Sequence, residues 1–168
     1  KVINAVQESQ GRVKAMALIH QLLYQDQDLS RINFETYLPQ LVNALSSIYK
    51  KEGTVVTIEI EASGIYFDID IAIPLGLIIT ELTANAFKYA FNGSRTGNLS
   101  IRINETMKDV YLLTLADNGP GLPEGIKVDE LNSMGLKLVN ILTSQLDGTL
   151  EYNYNLGATF IVKFETTK

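Results

Sequence analysis

Apolar and polar positions along the chain switch between two periods, and the switches divide it into elements. Val2, Val6, Ser9, Val13, Met16, His20 and Leu23 recur alternately four and three apart. That spacing is the heptad seam of one helix over residues 1–25, with Ile3 and Ile19 beside it. A seam this narrow requires a partner helix, yet a polar break, QDQDLSR, follows. The implied partner is an upstream helix, a second copy of the chain, or both. Residues 33–53 form a second helix with Leu38, Leu41, Val42, Leu45 and Ile48 on its apolar face, Asn33 as cap and Gly53 as stop. Pro39 predicts either a later start or a kink.

TVVTIEIEA (54–62) and IYFDIDIAI (65–73) alternate with period two, predicting half-buried strands joined at Ser63-Gly64. Pro74 opens a third helix and Asn92-Gly93 closes it. GNLSIRINET and DVYLLTLAD are two more strands, and the glycine- and proline-punctuated segment 118–135 is a long loop of functional length. GLKLVNILTSQL is a fourth helix ended by Gly148, and GTLEYNY with GATFIVKFET makes a last pair of strands. Paired strands favour hairpins and a mixed, mainly antiparallel sheet with the two later helices on one face. The fold class is α+β, a two-layer α/β sandwich preceded by a long helix.

Composition narrows the chemistry. The 168 residues are 46% apolar, enough for a core without staples. There is no cysteine and one histidine, which excludes disulfides and a thiolate or histidine-built zinc site. A net charge of −5 supplies no overall basic field for nucleic acid or anionic lipid. No apolar run is long enough to span a bilayer. The opening KVINAVQESQ lacks Met and already reads as helix, the expectation for a piece of a longer protein.

Four short stretches carry the chemistry. In ELTANAFKYAF, Glu81, Asn85 and Lys88 are four and three apart and fall within roughly a 60° arc of the third helix. A solvated stripe with a Glu–Lys pairing is the plain reading. The sharper one is a polar wall: an amide oxygen for a hard cation, an ammonium for phosphate, a carboxylate to polarise a nucleophile. In ADNGPGLPEG, Asp117 ends a strand, able to accept from an exocyclic amine, and Gly119 and Gly121 let the backbone approach a flat ligand; a turn is the plain alternative. SMGLKLV puts Gly135 at a helix entry suited to phosphate, and GATF puts Thr159 on a strand, though each is also an ordinary local pattern.

In this order, E-x-x-x-N-x-x-K, D-x-G-x-G, M-G-L and G-x-T-F resemble the ATP-binding fold shared by gyrase, HSP90, MutL and histidine kinases, over about residues 33–166. The resemblance implies ATP and Mg²⁺. It implies that Asn85 holds Mg²⁺, Glu81 orients or activates the attacking group, Lys88 contacts phosphate and Tyr89 lines the adenine. It makes Asp117 the acceptor of the adenine amino group, supported by Thr159, with Gly119 and Gly121 giving room to the base. Gly135 and Leu136 would sit at the phosphate end of the lid. Ser133 departs from the family, taking a position that is glycine in many relatives.

The stretch ESQGRVKAMALIHQLLYQDQDLSRINFETYLPQLV is similar to the second dimerisation helix of sensor histidine kinases with the acceptor motif H-x-x-K-N-N. That resemblance implies two units: residues 1–30, part of a dimerisation segment, and residues 31–168, the catalytic domain. It implies a homodimer through the N-terminal helix, a response-regulator receiver domain as partner, no nucleic acid or membrane contact, and a cytoplasmic location. His20 lies on the seam with no acidic neighbour and no K-N-N after it, so it reads as structural, with the acceptor histidine outside this chain. Two other readings stand beside this one: a serine kinase of the anti-sigma type on the same fold, and a non-catalytic dimer scaffold.

Overall fold

The computed structural model describes residues 2–25, 31–92, 96–122, 134–154 and 156–166. In chain order the elements are α1 (Val2–Gln25), β1 (Arg31–Asn33), α2 (Phe34–Tyr49), β2 (Val55–Glu61), β3 (Tyr66–Asp68), α3 (Ile69–Asn85), a π-helical turn (Ala86–Ala90), β4 (Thr96–Met107), β5 (Val110–Asp117), α4 (Met134–Gln145), β6 (Thr149–Tyr154) and β7 (Ala158–Glu165). The polar break after α1, Gly93, Ser133 and most of the long loop lie outside the described residues.

The main sheet has the order β2-β4-β5-β7-β6. β2 runs parallel to β4 and every other pair is antiparallel, so the sheet is mixed and mainly antiparallel. Its inner face is apolar on alternate residues: Leu99, Ile101 and Ile103 of β4, Leu113 and Leu115 of β5, Phe160, Val162 and Phe164 of β7. Leu75, Ile78, Ile79 and Leu82 of α3 and Leu136, Val139 and Leu142 of α4 share the buried core with that face. At one end Phe67 meets Phe34, Tyr111 and Phe164, with ring centroids 5.0, 4.9 and 5.5 Å away.

Three boundaries differ from expectation for physical reasons. Only Tyr66–Asp68 of the stretch 65–73 is strand, and it pairs with β1 instead of β2. Asp68 then caps a helix, its carboxylate accepting from Ile71 N–H at 3.2 Å, so α3 begins five residues before Pro74. The apolar–polar alternation of DIDIAI is therefore overridden by the Asp68 cap. α2 starts at Phe34 under the Asn33 cap and passes through Pro39, so the start is not delayed. It stops at Tyr49, with Gly53 in the following turn at φ +81°.

α1 has two apolar faces. Ala15, Leu18 and Ile19 are buried against the domain, whereas the seam residues Val6, Val13 and Met16 are exposed, as are Ile3 and His20. Among the described residues one helical stretch, Ile69–Ala90, is long and apolar enough to cross a membrane; two-thirds of its most apolar window lies buried as the central core helix.

Candidate functional site: a cleft between the core helix and the strand ends

A cavity of about 410 Å³ opens where α3, the end of β5, α4 and β7 converge. That lies in the usual range for small-molecule sites. Asn85, Ala86 and Tyr89 form one wall, Asp117 and the Pro120–Leu122 segment the next, and Leu136, Ala158 and Phe160 the floor. Asn85, Tyr89, Asp117, Gly121 and Leu136, drawn from separate parts of the sequence, thus share one cavity.

The π-helical turn shapes the first wall. Its extra residue per turn re-aims Lys88 and Tyr89 relative to a continuous α-helix, and Phe91 N–H closes it on Ala86 O at 3.1 Å. Tyr89 is 67% exposed, so its ring stands at the cavity mouth instead of in the core.

Asp117 is the anchor of the second wall. Its carboxylate accepts from Gly119 N–H at 2.9 Å and from the backbone N–H of Ala158. Burial pushes its pKa above 3.8, and these two donors hold part of that rise back. Gly119 packs its α-carbon on the π turn: a methyl there would stand 2.3 Å from Ala90 Cβ. Gly121 adopts φ +72°, and a side chain would strike Tyr152 and Tyr154. Tyr152 also accepts Leu122 N–H on its hydroxyl at 2.8 Å and lays its ring 5.0 Å from Phe160. It thereby braces the wall from behind.

Thr159 falls elsewhere. Ala158 and Phe160 both line the cavity, and the period-two alternation of β7 turns Thr159 to the opposite face of the sheet. The support expected from its hydroxyl comes instead from the main chain of Ala158. Glu81 and Lys88 sit behind the cavity wall, facing α1. Glu81, 3% exposed, receives Arg12 Nε on Oε1 at 2.7 Å. Lys88 donates to Glu8 Oε1 at 2.6 Å and lies 5.3 Å over the Tyr49 ring. Gly135, in the first turn of α4, approaches the far side of Glu81: a methyl there would be 2.7 Å from Oε2 and 4.0 Å from Asn85 Oδ1. Burial, then Glu81 and Glu8, push the Tyr49 hydroxyl up to about 12.

Sequence reasoning missed Glu8, Arg12, Ala158, Phe160 and Tyr152. Glu8 and Arg12 are one helical turn apart on α1 and meet Lys88 and Glu81 across the helix pair, a match of charge spacing that a sequence carries only once the two helices are known to pack. Among the described residues no three acids, histidines or cysteines cluster to hold a resident metal ion. Asn85 alone offers an amide oxygen at the cavity wall. That suits a Mg²⁺ ion that arrives on phosphates and keeps most of its waters.

A family model described as histidine kinase matches residues 1–49. The sensor histidine kinase PdtaS of Mycobacterium tuberculosis is 29% identical over 148 residues, 87% of this chain and 29% of that protein. Blue-light-activated histidine kinase 2 of Erythrobacter litoralis is 25% identical over 156 residues, 88% of this chain and 43% of the relative. The chain therefore spans well under half the length of these curated relatives. The solved histidine kinase domain of the Erythrobacter litoralis blue-light activated histidine kinase superposes with a TM-score of 0.80 at 20% identity, covering 94% of this chain and 74% of that one, which shows the same fold. A second family model, for histidine kinase-, DNA gyrase B- and HSP90-like ATPases, matches residues 70–168. Since that match spans more than half of the sequence and holds all of the cavity, the chain belongs to the histidine kinase-, DNA gyrase B- and HSP90-like ATPase family.

Proposed function

We propose that this chain is the ATP-binding catalytic part of a two-component sensor histidine kinase, acting in the cytoplasm. The observation that carries the reading is Asp117: a half-buried carboxylate, fixed by two backbone N–H donors, facing a cavity whose opposite wall holds Asn85. A carboxylate so placed accepts the adenine amino group, and Gly119 and Gly121 keep that wall flat enough for the base to approach. Asn85 gives Mg²⁺ one protein oxygen. Lys88 keeps the phosphate role that the resemblance implies, although here it is held by Glu8 at 2.6 Å behind the wall, and Glu81 orients or activates the histidine nitrogen that receives the phosphoryl group. Gly135 brings the start of α4 to the same end, beside Leu136. Catalysis by these residues consists of positioning and charge neutralisation.

The acceptor histidine is assigned to a segment other than this chain, because His20 has no acidic neighbour in sequence and no K-N-N after it and does not line the Asp117 cavity. The exposed stripe of Val6, Val13 and Met16 fits a helix of the dimerisation bundle and so a homodimer. The phosphoryl group then passes to an aspartate of a receiver domain.

Incubating the full-length protein with γ-labelled ATP and Mg²⁺ tests this. Acid-labile, base-stable label on a histidine outside this chain is expected. Acid-stable label on serine would favour a serine kinase of the anti-sigma type, and no label despite tight ATP binding would favour a scaffold.

A further inference from the structure

The carboxylate of Glu81 is completed by a residue from outside the matched ATPase segment. Glu81 is 3% exposed, and Arg12 Nε on α1 meets its Oε1 at 2.7 Å. Its Oε2 points to Gly135 at the phosphate end. Burying a carboxylate this deeply is costly unless it is paired and hydrogen-bonded. The groups around it are Glu8 and Arg12 from α1, Tyr49 from α2, Lys88 from the π turn and the backbone at Gly135 from α4. Lys88 is taken by Glu8 at 2.6 Å. Arg12 is thus the cation that serves Glu81.

We infer that Arg12 is a positioning residue for Glu81, holding its first oxygen so that the second stays aimed at the phosphate end of the cavity. The inference rests on the kinase reading and adds to it that α1 supplies part of the catalytic arrangement, not only a dimer contact. The bond geometry favours this over simple docking of α1. A structural Arg–carboxylate pair commonly uses two parallel N–H···O bonds. Here Nε makes the bond, and Nη2 is buried without a partner among the described residues. Arg12 therefore engages Oε1 and leaves Oε2 turned to Gly135.

The test uses the full-length protein, comparing Arg12→Gln, Arg12→Lys and Gln7→Ala for kcat and KM of histidine phosphorylation. Gln7 joins α1 to α2 through Ile48 O at 3.0 Å and does not touch Glu81, so its loss reports docking alone. Expected for Arg12→Gln is a kcat lower by about tenfold or more, part of the roughly 10²–10⁴ that acid–base assistance contributes in full. KM for ATP should be unchanged, since the contact acts on the phosphoryl-transfer step and not on nucleotide binding. Arg12→Lys should recover part of kcat, and Gln7→Ala should keep kcat. An Arg12→Gln enzyme with wild-type kcat, or one indistinguishable from Gln7→Ala, overturns the inference. If Arg12→Gln does not fold, Arg12→Lys decides: lowered kcat at unchanged KM supports it and wild-type kcat overturns it. A wild-type protein that binds no Mg-ATP removes the kinase reading and this inference with it, whereas wild-type turnover with unaffected Arg12 variants removes the inference alone.

Discussion

Replacing Gly119 by alanine tests how the cavity is built. The added methyl would lie 2.3 Å from Ala90 Cβ, 2.4 Å from Ala90 Cα and 3.0 Å from Asp117 Oδ1. Carbon atoms pack best at about 3.5–4.0 Å, so the strand-end segment and the π turn must separate by more than ~1 Å. Ala90 has no flexible side chain to yield, and its main chain belongs to a turn closed by the Phe91–Ala86 bond. Overpacking of this kind costs about 1–3 kcal/mol of stability. The same displacement pulls Gly119 N–H from the Asp117 carboxylate, a bond to a charged group worth roughly 1.5–3 kcal/mol. If that loss falls on the ligand-binding arrangement, ATP affinity drops about ten- to a hundredfold, at 1.4 kcal/mol per decade. Urea unfolding reads the first effect and calorimetric titration the second. Adding Ala90→Gly should restore only part of either, because the contact with the Ala90 α-carbon remains. A Gly119→Ala protein within about 0.5 kcal/mol of wild type and equal to it in ATP affinity would refute the close approach and the role assigned to it.

Other consequences follow from single contacts. Asp117 has its pKa raised in the folded protein, so its contribution to stability is fully present below its unfolded value and is lost as pH rises through the folded one. The ionised form is the stronger acceptor for adenine; ATP affinity measured against pH should therefore fall as pH drops through the raised Asp117 pKa, and Asp117→Asn should bind weakly at every pH. Tyr152→Phe keeps the ring on Phe160 but removes the acceptor of Leu122 N–H. A loss of about 1 kcal/mol, roughly fivefold in ATP affinity by fluorescence titration, is expected, and an unchanged affinity would show that the brace does not matter.

Much of the fold was legible because it is written in burial periods. The strands β4 to β7 and helices α2 and α4 follow their apolar spacing, and the polar residues at Asn85 and Asp117 interrupt apolar runs in a way the core does not need. The rest depended on contacts between distant residues. The 65–73 stretch alternates like a strand, yet Asp68 caps a helix there and Tyr66–Asp68 finds β1. Thr159 and Ala158 are adjacent in sequence, and only the register of β7 against β5 determines which faces the cavity. The pairing of Arg12 with Glu81 joins residues 69 apart and leaves no trace in either local pattern.

The most direct test of the central claim is calorimetric titration of this chain with ATP, with and without Mg²⁺, beside Asp117→Asn and Asn85→Ala. The account predicts that wild type binds ATP more tightly with Mg²⁺, that Asp117→Asn removes binding, and that Asn85→Ala binds equally with and without the ion. A folded wild-type chain that takes up no ATP, or an Asp117→Asn variant that binds it as well as wild type does, would contradict it.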